Sequence, residues 1–146
     1  MDSIWLANYV ISLFEDRDAP ITNLKLQKVL YYIQGYFYRW FGKPAFLDDI
    51  YHWQYGPVVP VVYYAYNDNG SDSLESRLIL PGCEIEDREK ELISAIVKKC
   101  SGISTSRLVS MTHSETPWRI TGSGDIIDKS SIEKYFLHCD PLEIKS

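Results

Sequence analysis

Basic charge is scarce in this chain: 15 lysines and arginines stand against 20 aspartates and glutamates, for a formal net charge of −5. Non-specific DNA or RNA binding depends on clusters of Lys and Arg that release counterions, so direct nucleic-acid binding is not expected. No local basic stripe repairs the deficit. Lys98-Lys99 is an isolated pair, and Arg88-Glu89-Lys90-Glu91 alternates its signs as a solvated helix face does. Cysteine is sparse too. Cys83, Cys100 and Cys139 are odd in number, and together with His52, His113 and His138 they offer no CxxC, HxxxH or HExxH spacing. Reduced thiols and no metal site are therefore expected. The eight glycines are scattered and form neither GxGxxG nor GxxxxGK(S/T), which disfavours ATP and dinucleotide enzymes and leaves no cofactor expected. Long apolar runs are missing as well, since none reaches the ~18 residues of a membrane span. The apolar opening from Met1 to Phe14 carries Asp2, no basic flank and no small-residue cleavage site, unlike a signal peptide. The expectation is a cytoplasmic protein with no membrane partner.

What is present suits one soluble globular domain over residues 1–146, with 45% hydrophobic and 24% charged residues. A chain of this length buries about 70% of its unfolded surface and needs no staple to fold. Ile4, Ala7, Val10 or Ile11, and Phe14 recur at helical spacing behind Asp2 or Ser3 as cap, predicting a first helix. Thr22 can cap a second in which Leu26, Leu30, Ile33, Phe37 and Trp40 or Phe41 share a face, stopped by Gly42-Lys43-Pro44. From Phe46 to Gln54 the alternation predicts a strand, with Gly56-Pro57 as a turn and a short helix from Val58 to Tyr66 that begins at Pro60. A polar loop over Asn67 to Ser73 and a short strand from Arg77 to Leu80 follow. Glu86 to Cys100 and about Ser106 to Thr112 read as helices, and Ser130-Ser131-Ile132-Glu133 as the capping box of a last one. The fold class is mainly α: five to six helices with a small two- or three-stranded β element.

Thr112-His113-Ser114-Glu115 sets a base, a hydroxyl and a carboxylate side by side. Sequence neighbours on a turn point apart, and catalytic groups are recognised by geometry, so no catalytic residue is assigned and His113 is read as a helix-end histidine. The aromatics are more informative. Tyr31, Tyr32, Tyr36, Phe37, Tyr38, Trp40 and Phe41 nearly encircle the second helix, and Tyr51, Trp53, Tyr55, Tyr63, Tyr64 and Tyr66 follow within a short distance. One helical face cannot hold all of the first group, which predicts rings at a surface of the kind that protein interfaces enrich. The alternative is that the rings pack a small sheet against helices, with their hydroxyls reaching water.

Thr22-Asn23-Leu24-Lys25-Leu26-Gln27-Lys28-Val29-Leu30-Tyr31-Tyr32, Gln34-Gly35, Gly42-Lys43-Pro44, Phe46, Trp53, Tyr55-Gly56-Pro57-Val58, Leu108, Met111-Thr112-His113 and Pro117-Trp118 together resemble the SocA-like, or Panacea, antitoxin domain, over residues 4–136. The same domain occurs in phage-associated, GepA-like proteins. The resemblance implies a mostly helical bacterial or phage protein without enzymatic activity, an antitoxin whose partner is a cognate protein toxin neutralised by direct contact. It also implies an alternative, an adapter or phage accessory protein that binds a host factor or delivers a toxin to the ClpXP protease; self-association is left open. With the aromatic surplus, it nominates Tyr32, Tyr36, Trp53, Tyr55, Pro57, Tyr63, His113 and Trp118 as partner-binding residues. Lys25 and Lys28 are expected to flank the Leu26 and Leu30 stripe, with Gln27 and Gln34 satisfying backbone groups beside it. The run Val61-Val62-Tyr63-Tyr64 is more apolar than the family's usual sequence there, which suits either a partner-specific surface or deeper packing.

Overall fold

A computed structural model describes residues 1–77 and 85–145. Its elements run α1 (Ser3–Asp16), α2 (Asn23–Phe41), β1 (Ile50–Trp53), β2 (Gly56–Val58), α3 (Pro60–Ala65), a 3-10 turn (Asn67–Asn69), α4 (Asp87–Ser101), α5 (Thr105–Ser114), α6 (Thr116–Arg119), β3 (Ile126–Ile127) and α7 (Lys129–His138). The fold is mainly α with a small β element, as the sequence predicts. Seven α-helices are described because Thr116–Arg119 forms a separate single turn after α5.

Local chemistry sets the helix ends. The Asp2 carboxylate accepts from the Trp5 amide at 2.9 Å, and the Thr22 hydroxyl from the Lys25 amide at 3.3 Å, each satisfying an orphan first-turn donor. Gly42 closes α2 in the left-handed region at φ 67°. Glu86 and Glu89 form a reciprocal capping box on α4. At α7 the cap is Asp128, not Ser130, because the Asp128 carboxylate accepts from the Ser130 amide and starts the helix two residues earlier than the serine box predicts.

The sheet is antiparallel in the order β2-β1-β3, with Tyr51 opposite Val58, Trp53 opposite Gly56 and Ile50 opposite Ile127. The strand expected over Phe46 to Gln54 therefore shortens to four residues. Gly56-Pro57 is not the turn. It lies within β2, and the chain reverses at Gln54 and Tyr55, because Gly56 at φ 116° keeps extended pairing while its missing Cβ clears Lys28 Cε, which an added methyl would meet at 2.7 Å. The strand expected from Arg77 to Leu80 falls almost wholly outside the described residues, and Cys83 lies outside them too.

Helix α2 is the axis of the fold. It packs against α1, α3, α4, α5, α7 and β2, so every residue from Lys25 to Tyr38 is buried. This corrects the expectation for Tyr32 and Tyr36, both 0% exposed. A helix with apolar residues around its whole circumference belongs inside a bundle, and neighbours on all sides give the rings from Tyr31 to Tyr38 an interior home, while Trp40 and Phe41 at the helix end stay half-buried. Phe136 of α7 supplies much of that packing, with edge-to-face contacts to Tyr31, Tyr32 and Tyr36 at centroid separations of 5.7, 6.1 and 5.2 Å. It fits because position 35 is glycine: a Cβ there would lie 2.2 Å from the ring.

Candidate interaction site

The site rests on a polar frame inside the domain. Buried polar groups are costly unless paired, and along α2 each finds a partner far away in the sequence. Gln27 Oε1 accepts from the Val59 amide at 2.9 Å, fixing the chain where β2 gives way to α3. Gln34 accepts from the amides of Ala45 and Phe46 and donates to the Phe46 carbonyl. Asn23 donates to the Tyr63 carbonyl at 2.9 Å, holding α3 against the start of α2. Both glutamines thus satisfy backbone groups as expected.

Lys28 departs from its expected flanking place. It is fully buried and donates to the Pro57 carbonyl at 3.0 Å, and burial pulls its pKa down to about 7. Pro57 is buried as well, so its role is to anchor β2 on α2, and it offers no exposed contact surface.

Glu115 is the second node. Only 3% exposed, it accepts from Tyr31 at 2.9 Å and from Tyr32 at 2.7 Å. Burial raises its pKa to about 7 against the opposing effect of the two hydrogen bonds. The tyrosine hydroxyls are held well above their ordinary range, first by burial and then by the adjacent carboxylate. Tyr36 donates to Asp140 and accepts from the Leu142 amide, tying the segment after α7 to the helix axis.

The Thr112-His113-Ser114-Glu115 run does not assemble a proton relay. The Ser114 hydroxyl donates to the Met111 carbonyl, Glu115 is engaged by the tyrosines, and the His113 ring stacks on Trp118 at 4.3 Å. Trp118 stacks on His52 as well, at 3.3 Å. Burial, with the neighbouring Lys28 and His52 charges, lowers the pKa of His113, and its Nε2 has no hydrogen-bond partner among the described residues. His113 and Trp118 therefore belong to a half-buried stack that braces β1 against α5 and α6. Among the described residues there is no group of three His, Cys, Asp or Glu placed to hold a metal. Cys100 and Cys139 are free thiols, and burial pushes the first up to about 12.

The remaining nominated residues, Trp53, Tyr55 and Tyr63, do converge. The Trp53 ring lies 5.2 Å from Tyr63 and 6.0 Å from Tyr64, and those two tyrosines are 5.5 Å apart, all edge to face. Tyr55 at 58%, Tyr64 at 62% and Val61 at 47% stand out into solvent around them. The apolar run of α3 is thereby split: Val62 enters the core while Val61 and Tyr64 face outward. Trp53 stands between two depressions. One, of about 610 Å³, is lined by Leu24, Trp53, Tyr55, Val58 and Tyr63 beside the start of α2. The other, of about 470 Å³, is lined by Asp48, Asp49, Tyr51, Trp53, Val61 and Tyr64. Sequence reasoning weighs Val61 and Tyr64 only as part of an apolar run suited to a partner surface or to deeper packing, without nominating either, and it does not single out Asp48. The signal for Tyr64 was the apolar excess of α3 on a helix too short to bury every side.

The fold and site define a mainly helical domain whose buried charges serve its own architecture and whose exposed rings gather at one corner. Residues 26–119 match the family described as antitoxin SocA-like, Panacea domain, and the chain belongs to that family. It is similar to the antitoxin SocA of Caulobacter vibrioides (strain NA1000 / CB15N), with 32% identity over 135 residues that span 85% of this chain and 72% of that protein. No solved structure matches. Among the described residues no helix is long and apolar enough to cross a membrane.

Proposed function

We propose that this chain acts as an antitoxin by direct contact with a protein toxin encoded beside it, through the corner formed by Trp53, Tyr55, Val61, Tyr63 and Tyr64. The observation that carries this reading is the gathering of three mutually packed aromatic rings with two further exposed apolar side chains, flanked by two depressions. Trp and Tyr are the residues that most often dominate binding energy at protein interfaces, because they bring large area with few rotamers to lose. Buried polar residues of α2 support the corner from within. Gln27 and Asn23 hold α3 in place, and Lys28 holds β2.

Neutralisation on this reading is stoichiometric and needs no catalytic step. The net charge of −5 would speed encounter with a basic toxin. The test is co-expression with the product of the adjacent reading frame. Growth should be restored by the unaltered chain and not by the Tyr64→Ala variant, whose exposed position leaves folding intact. A neighbour that is harmless alone, or toxicity that persists beside the unaltered chain, would overturn the proposal.

A further inference from the structure

Cations elsewhere in this chain cover its aromatic faces. The Arg77 guanidinium sits 4.2 Å from the Tyr66 ring centre, Arg88 lies 5.0 Å from Phe41, and Lys25 Nζ lies 5.7 Å from Phe14. The Trp53, Tyr63 and Tyr64 rings have no such cover among the described residues. No lysine or arginine lines either depression beside them.

The smaller depression adds negative charge to those open rings. Asp48 and Asp49 stand at its edge with Tyr51, Trp53 and Tyr64. Lys129 occupies Asp49 at 2.6 Å, whereas Asp48 makes no ion pair or side-chain hydrogen bond among the described residues. An uncompensated carboxylate lining the same depression as Tyr51, Trp53 and Tyr64 suits a planar cation, which can pair with the charge and with a ring quadrupole at once. Arginine satisfies it better than lysine, because a guanidinium stacks on a ring while its N–H groups reach a carboxylate in the same plane.

From this geometry we infer that the depression between Asp48 and Tyr64 receives an arginine side chain of the partner protein, with Trp53 as its wall. This rests on the proposed contact role of the corner and deepens it. The hydrophobic corner supplies area, and the arginine seat supplies orientation and discrimination, since a partner offering an acid or an alkyl group there would leave Asp48 facing it unpaired.

The probe is a pair of tripeptides, acetyl-glycyl-arginyl-glycine amide and its citrulline counterpart, which keeps the shape and removes the charge. Each is titrated into the full chain while the Trp53 indole N–H signal is followed by NMR, assigned with Trp53→Phe. The arginine peptide should shift that signal saturably and the citrulline peptide should not. Asp48→Asn and Tyr64→Ala should each weaken the response about two- to fivefold, the range of an exposed cation–π contact, with melting temperatures unchanged. Equal responses to both peptides, or no response to either, would overturn the inference. So would a concentration-dependent dimer of this chain that Tyr64→Ala abolishes, because the seat would then belong to a second copy. Failure of the peptides alongside loss of toxin neutralisation in Tyr64→Ala would remove only the arginine seat. Intact neutralisation in that variant would remove the contact surface itself.

Discussion

Replacing Tyr32 by Phe deletes one oxygen beside the buried Glu115 carboxyl, and its cost should depend on pH. Glu115 has a folded-state pKa of about 7 against an ordinary 4.5, so between those values the folded chain holds a proton that the unfolded chain has released. Stability from this group is therefore complete below pH 4.5 and is lost as pH rises through 7, a span worth about 3 kcal/mol at 1.36 kcal/mol per unit. Above pH 7 the carboxylate depends on its two tyrosine donors, at 2.9 and 2.7 Å. A hydrogen bond to a charged group contributes about 1.5–3 kcal/mol and one between neutral groups about 0.5–1.5. Tyr32→Phe should thus cost about 1 kcal/mol at pH 5 and about 2–3 at pH 9, and the difference corresponds to raising the Glu115 pKa by about one further unit. Urea unfolding of both proteins at the two pH values measures the costs, and Lys28 titration cancels because both proteins share it. Carboxyl NMR of Glu115 reads the pKa directly. An equal cost at pH 5 and pH 9, or an unmoved or lowered Glu115 pKa, would refute the reasoning.

Gly35→Ala should destabilise the domain by about 1–3 kcal/mol or more through overpacking, since the new methyl would meet the Phe136 ring at 2.2 Å; the added change Phe136→Leu should recover part of that loss in urea unfolding. Lys28 is depressed to about 7 from 10.5, so the unfolded chain binds a proton there that the folded chain lacks, and stability should rise with pH above 7 by up to about 1.4 kcal/mol per unit. Lys28→Met should remove that component of the slope between pH 7 and 9, as chemical denaturation at stepped pH would show. Under stoichiometric blocking, a pulse-chase of the toxin should give the same toxin lifetime with and without this chain, and accelerated loss that needs the ClpXP protease would instead indicate delivery for degradation.

The parts of the fold that the sequence makes legible are those governed by neighbours a few residues away. Asp2, Thr22 and Gly42 cap their helices within four residues of the groups they satisfy, and each end falls where the pattern predicts. Gly56-Pro57 reads as a turn from local rules alone. Its extended pairing with β1 depends on Lys28, 29 residues from Pro57, which holds the strand from beneath. The same distance in sequence hides Glu115 and Asp140. Tyr31 and Tyr32 reach Glu115 across more than 80 residues and Tyr36 reaches Asp140 across 104, so nothing beside those tyrosines reveals that their hydroxyls have interior partners. Assuming one buried face for α2 then forced several rings outward, whereas neighbours enclose the helix on every side. The corner itself was half legible. Trp53, Tyr55 and Tyr63 stand out by composition, but which of Val61, Val62 and Tyr64 faces solvent is decided by where α3 is pinned, through Asn23 and Gln27.

Direct binding of the adjacent gene's toxin to the purified full chain, measured by calorimetry for the unaltered protein and for Trp53→Ala and Tyr64→Ala, tests the contact role most immediately. A saturable one-to-one complex is expected with the unaltered protein, weakened at least about tenfold, or 1.4 kcal/mol, by each substitution while melting temperatures stay unchanged. No complex at micromolar concentrations, or an affinity that both substitutions leave intact, would contradict neutralisation through the Trp53 corner.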